Sequence, residues 1–285
     1  MTHRKLAVFG SSIFAAMMMM ACTPKKEAPK ADAAPAAGTT AAAPADAGME
    51  IKFGTDATYA PFESTAPSGE IVGFDIDIAK AMCEEMKAKC TFTNQAWEGI
   101  IPGLTTKKYD VIASSMSITP ERKQEVRFTQ KIWDAPNRFV AKAGSTIQTT
   151  PEGLKGKSIG VQQGTIQETY AKKYYPDAKI KSYKTIEDAY NDLTAKRIDT
   201  IFADGVILTE GFLKKPAGKD FAQLGADIPA AADPAILGEG TGFAVRKDDT
   251  ALAEKLNKAF DTIRANGKYK TIADKYFTFD IYGNK

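Results

Sequence analysis

The residues best equipped for chemistry sit where apolar runs end. Arg122 closes the segment Ser114-Ser115-Met116-Ser117-Ile118-Thr119-Pro120-Glu121-Arg122, just after the strand-like stretch ending at Ala113. A planar guanidinium holds a carboxylate through two parallel hydrogen bonds, which an ammonium cannot copy. Ser114, Ser115 and Ser117, taken alone, suit helix capping better than ligand contact. Asp204 follows Thr200-Ile201-Phe202-Ala203 and opens a helix, a position that Asp caps well. The loop Gly160-Val161-Gln162-Gln163-Gly164-Thr165-Ile166-Gln167 leaves a strand and enters a helix, so its backbone N–H groups suit a carboxylate. No Gly-Lys-Ser/Thr follows it, which argues against a phosphate loop. Asp56, Tyr59 and Trp97 read singly as a turn acid and two core aromatics.

Composition excludes several classes. Residues 1–21 read as a secretory signal, with His3, Arg4 and Lys5 ahead of an apolar run from Leu6 to Ala21 that is short for a membrane span. His3 is the only histidine, so the mature chain lacks imidazole for a catalytic triad, a zinc site or a proton shuttle. That removes several enzyme classes, and no catalytic residue, metal or cofactor is expected. Lys and Arg number 38 against 35 Asp and Glu, a near balance that offers no basic stripe to nucleic acid. The absence of another long apolar run argues against a channel or a membrane-bound sensor on this chain.

Ala21-Cys22 resembles a bacterial lipobox, with Met19 where such boxes usually carry Leu, and marks Cys22 as the expected lipidation site. Residues 22–48 are dominated by Ala and Pro and should form a disordered tether. It would reach about 30 Å as a coil, or roughly 80 Å as polyproline II. The other cysteines, Cys83 and Cys90, should form a disulfide in a secreted chain. On one continuous helix they would lie roughly 10 Å apart, too far to bridge, so the helix must end between them. Asp75 and Asp77 resemble a metal-binding pair, yet at a helix start capping and dipole stabilisation fit better. Gly238-Glu239-Gly240-Thr241-Gly242 precedes a strand rather than a helix and reads as part of a crossing.

The elements that must position these groups alternate along the chain. Strands are expected at 50–55, 91–95 and 110–114, with helices at 75–87 and 97–107. After Ala135-Pro136-Asn137-Arg138 the pattern restarts, with strands at 157–161, 178–182 and 199–203 and helices at 166–175, 185–197 and 205–214. A strand at 242–246 and a long amphipathic helix at 251–265, ended by Gly267, complete it. Two such blocks imply two parallel-type sheets with helices on both faces, an α/β chain. Ligands of open α/β sheets sit beyond the carboxyl ends of the strands.

Gly54-Thr55-Asp56-Ala57-Thr58-Tyr59-Ala60-Pro61-Phe62, followed by Gly73-Phe74-Asp75-Ile76-Asp77-Ile78-Ala79-Lys80, closely resembles the N-terminal region of bacterial periplasmic proteins that capture basic amino acids for ABC importers. The likeness runs from about Ile51 to Tyr282. It implies a two-lobed type II periplasmic binding protein fold: two doubly wound lobes joined by two crossover strands, lobe 1 at 49–136 and 238–285, lobe 2 at 139–236. In such proteins the residue matching Arg122 grips the ligand α-carboxylate, with the matches of Ser114, Ser115 and Ser117 beside it. Asp204 matches the α-ammonium partner, within a family pattern of Asp-x-Val followed by Glu-Gly-Phe-Leu. The acid at 56 meets the distal cation, and aromatics at 59 and 97 sandwich the ligand side chain, adding about 0.5 to 2 kcal/mol of cation–π attraction. The chain departs from its relatives at Gln162 (commonly Leu), Ile166 (commonly Thr) and Trp97 (often Phe or Leu). Thr165 keeps a hydroxyl, and Gln167 completes the loop.

The resemblance implies a monomeric lipoprotein that binds a basic L-amino acid, with arginine ahead of lysine, ornithine and histidine. It would deliver that ligand to an inner-membrane ABC permease. Its place would be the periplasm, or the cell surface in an organism without an outer membrane. The rival reading on the same scaffold is a secreted cyclohexadienyl or arogenate dehydratase, which needs a cleft acid to protonate a leaving hydroxyl.

Overall fold

The computed structural model describes residues 48–283, so the expected signal, Cys22 and the tether up to residue 47 lie outside the described residues. Two five-stranded sheets carry the fold. In the first, the order is Lys89–Asn94, Glu50–Thr55, Val111–Ile112, Ala244–Arg246, Val126–Phe128. In the second it is Lys179–Tyr183, Ser158–Gln162, Thr200–Asp204, Asn137–Lys142, Phe221–Ile228. The first three strands of each sheet are parallel and the fourth and fifth are antiparallel to their neighbours.

The sheets are therefore mixed, not parallel-type as the alternation implied. The cause is the crossing. A chain passing from one sheet to the other enters at the end where the parallel strands finish, and can only run back. Asn137 accordingly pairs with Asp204, the last residue of its strand, and Ala244 pairs with Ile112.

Alternation along each strand feeds two layers of helices. Phe53, Val111 and Val245 pack against Ile78, Met82, Leu256 and Phe260 of the helices Phe74–Glu85 and Thr250–Ala265. Ile112 and Ala244 turn the other way, onto Ile100, Leu104 and Tyr109. In the second sheet Ile201 and Ala203 face Ile186, Ala189 and Leu193, while Phe202 and Val161 face Tyr170 and Ala171. Among the described residues, no helix is long and apolar enough to cross a membrane.

Several expected elements differ locally. The helix expected at 97–107 begins as a 3-10 turn, Trp97–Gly99, and continues as an α-helix over Ile100–Thr105. Pro102 falls in that first α-turn, where its missing N–H costs nothing. The helix expected at 205–214 is wound with five-residue bonds over Ile207–Leu213, as Lys214 N–H donating to Thr209 O shows. A further helix, Lys268–Tyr276, follows Gly267 and packs on Phe74–Glu85.

Phe74–Glu85 ends between the cysteines, and Cys83 is bridged to Cys90 with the Cα atoms 6.3 Å apart. Gly73 precedes this helix at φ 138, where a Cβ would stand 2.1 Å from Phe62 O. Only glycine fits that approach, and it lays the helix start against the hairpin Thr58–Tyr59 and Glu63–Thr65.

Candidate ligand cleft

The strands Glu50–Thr55, Ser158–Gln162 and Thr200–Asp204 all finish at one cleft. The structure brings every expected ligand-binding residue to it: Asp56, Tyr59, Trp97, Ser114, Ser115, Ser117, Arg122, Gln162, Thr165, Ile166, Gln167 and Asp204. Glu63 lines it too, and sequence reasoning missed it. Its signal was the hairpin register: Glu63 pairs directly with Tyr59, so the two side chains share a face.

Arg122 heads a one-turn helix whose first N–H is held by Thr119 Oγ1 at 3.2 Å. Its Nη1 donates to Ser117 O at 3.1 Å, and the guanidinium lies 5.1 Å over the Trp97 ring. Burial pulls its pKa down to about 10, which leaves it cationic at neutral pH.

The serines do not cap a helix. Ser114 Oγ accepts from Asp56 N at 2.8 Å, and Ser115 Oγ donates to Glu63 Oε2 at 3.1 Å. Ser115 takes φ 49, a left-handed backbone that costs a non-glycine residue energy. Asp75 holds it there.

Asp75 is not the cap expected at this helix start; Gly73 is, without a side-chain bond. Its fully buried carboxylate accepts from Ser115 N and Trp133 Nε1, both at 2.9 Å. Trp133 stacks on Phe62 at 3.9 Å between centroids. Burial pushes the Asp75 carboxyl up to about 7.

Asp56 is buried, and burial raises its pKa against the bonds it accepts from Thr58 Oγ1 at 3.0 Å and Gln162 Nε2 at 2.9 Å. Gln162 belongs to the second sheet, so that bond spans the cleft. Trp97 Nε1 makes another crossing bond, donating to Gly164 O at 3.1 Å. Arg122 Nη2 reaches the same oxygen at 3.5 Å.

The second side of the cleft is built on one capped helix. Thr165 Oγ1 accepts from Glu168 N at 3.3 Å and donates to Gln162 O at 2.7 Å. Gln163 and Gly164 spend their N–H groups on Tyr183 O and Glu168 Oε2, so the loop's donors for a carboxylate narrow to the head of the helix. Gln167 Nε2 donates to Asn137 Oδ1 at 2.7 Å, and Ile166 is half-buried. Asp204 Oδ1 accepts from Val206 N at 2.9 Å, the capping bond expected of it. Burial pushes its carboxyl up to about 7.

One cation and three acids thus converge on a cleft that hydrogen bonds span between two similar sheets. The sequence from 51 to 279 matches the family of bacterial extracellular solute-binding proteins, family 3. The chain belongs to this family. Its relatives include the histidine-binding periplasmic protein of Escherichia coli, 48% identical over 237 residues, covering 82% of this chain and 90% of that one. The L-arginine-binding protein of Pseudomonas aeruginosa is 46% identical over 236 residues, with the same coverage. Among solved structures, a Salmonella typhimurium periplasmic binding protein of high arginine specificity superposes with a TM-score of 0.74. It is 36% identical, covering 81% of this chain and 100% of that one. This family 3 solute-binding protein has the two-lobed type II fold and is a binding protein, not an enzyme.

Proposed function

We propose that the protein captures a basic L-amino acid, arginine foremost, and hands it to an ABC permease. One observation carries this reading: a guanidinium, three carboxylates and two aromatic residues line a single cleft. The α-carboxylate would pair with Arg122 and the head of the Thr165 helix, the α-ammonium with Asp204, and the distal cation with Asp56 between Tyr59 and Trp97. Each ligand charge then has a partner, as burial requires. The names of the relatives, histidine-binding and L-arginine-binding, support the same class.

In this reading the lobes are 49–136 with 238–285, and 139–236. Ligand groups held from both sides favour the closed form over an open one. The protein would act as a periplasmic monomer, tethered to a membrane through lipid on Cys22. A thermal-shift screen against the twenty amino acids and ornithine tests the ligand class. Arginine, lysine, ornithine and histidine should raise the melting temperature most. A larger rise with an acidic or aliphatic amino acid would sink the reading. For the anchor, Cys22→Ala should abolish labelling by a fatty-acid probe, and persistent label would place the lipid elsewhere.

A further inference from the structure

The cleft holds one acid more than a basic amino acid has cations. Asp204 suffices for the α-ammonium, which leaves both Asp56 and Glu63 near the side-chain end. Asp56 already accepts a donor on each oxygen, from Thr58 and from Gln162. Glu63 differs. It is fully buried, its Oε2 accepts from Ser115, and its Oε1 has no hydrogen-bond partner among the described residues. Thr55 Oγ1 is the other buried side-chain atom in that condition, and Thr55 does not line the cleft. A buried carboxylate oxygen without a donor is costly, and costly orphan groups concentrate where a ligand completes them.

Pairing with Tyr59 fixes where Glu63 points. The two residues face each other across the hairpin, so the carboxyl stands beside an aromatic ring on the cleft side. Burial and the charge of Asp75 both hold this carboxyl well above the usual range, so a cation arriving beside it would favour release of its proton.

We infer that Glu63 is a specificity-determining residue, its Oε1 taking a donor from the ligand's distal group while Asp56 takes another. Two acceptors, one just past the strand Glu50–Thr55 and one in the hairpin strand Glu63–Thr65, suit a planar cation whose five N–H donors fan outward. A lysine ammonium concentrates its charge on one nitrogen and serves two separated acceptors less well. Glu63 therefore sets the preference for a guanidinium over an ammonium. Gln162 contributes by occupying one oxygen of Asp56 and leaving the second acceptor to Glu63. This inference rests on the basic amino acid reading above.

Calorimetric titration of wild type and Glu63→Gln with arginine, lysine and citrulline tests it. Gln keeps the volume and the bond from Ser115, so only the charge is lost. Arginine should weaken about 10- to 150-fold, the range for a charge-assisted bond, and lysine less. Citrulline, neutral and of similar shape, should change less than about threefold. Should Glu63→Gln fail to fold by circular dichroism, Glu63→Ser carries the same expectation. Unchanged arginine affinity, or equal losses for arginine and citrulline, would overturn the role of Glu63 and leave the functional reading standing. A wild type that binds neither arginine nor lysine would bring down both.

Discussion

The two sides of the cleft share a strand order and differ in how they are built. The first-sheet side is charged and locked: Asp56, Glu63, Asp75, Ser114 and Ser115 bond to one another or to backbone, backed by the Phe62–Trp133 stack. The second-sheet side presents mainly neutral groups, Gln162, Thr165, Ile166 and Gln167, with Asp204 as its one lining acid. In the proposed reading the charged wall would select the ligand and the neutral wall would close over it. The same sheet pattern thus carries two different linings, because loop chemistry rather than strand order decides what a sheet offers a ligand.

Four experiments can break or sharpen that contrast. Arg122→Ala removes the cation of the charged wall and should weaken every amino acid alike. Losing one partner of a buried charge pair costs about 2 to 5 kcal/mol, some 30- to several-thousand-fold in affinity. A loss below tenfold in calorimetry would show that the wall does not grip the shared carboxylate.

Asp56→Ser should separate ligands instead of weakening all of them. Arginine and lysine should lose roughly 10- to 150-fold, the range of a charge-assisted hydrogen bond, while citrulline or glutamine loses little. Parallel titrations of arginine and citrulline isolate the charge. Equal weakening of both would make Asp56 a turn residue.

Acidity probes the lone acid of the neutral wall. Asp204 stands at about 7 without ligand, and an ammonium beside it favours the ionised form. Arginine affinity should therefore fall as pH drops, roughly fivefold between pH 7 and pH 6. Stability of the free protein should move the other way. Asp75 and Asp204 are raised in the folded state, so their contribution is full below about pH 4 and is lost as pH rises through about 7. Scanning calorimetry should find a larger arginine-induced rise in melting temperature at pH 8 than at pH 6. A ligand shift independent of pH would detach Asp204 from the ammonium.

Trp97→Phe keeps an aromatic face and deletes the bond to Gly164 O, one of the contacts that close the walls. A single hydrogen bond of about 0.5 to 1.5 kcal/mol predicts a roughly two- to tenfold weaker affinity. Small-angle scattering of the ligand-free variant should show a larger radius of gyration. An unchanged radius would mean that closure does not depend on this bond.

The strand-end residues were legible because a buried β run followed by Asp, Arg or Gly announces both an element and its mouth. Glu63 was not, since its place in the cleft comes from hairpin pairing with Tyr59 and no periodicity carries that. Asp75 was misread as a cap because its true partners, Ser115 and Trp133, lie 40 and 58 residues away. The strand Phe221–Ile228 hides for another reason: as a sheet edge it buries only Leu224 and lacks clear alternation. Lys268–Tyr276 likewise buries just Tyr269, Ile272 and Ala273, too few to mark a helix in so polar a stretch.

The Cys83–Cys90 bridge ties the outermost strand of the first sheet to the helix beside it. Unpaired strand edges are where chains stick to one another. In a reducing compartment the two thiols stay apart, and the edge is held by its ladder alone. Once oxidised, the strand gains a covalent clasp to the helix Phe74–Glu85 in addition to its ladder. An edge strand with a neighbour on one side only thus receives a second, covalent tie that forms only where thiols are oxidised.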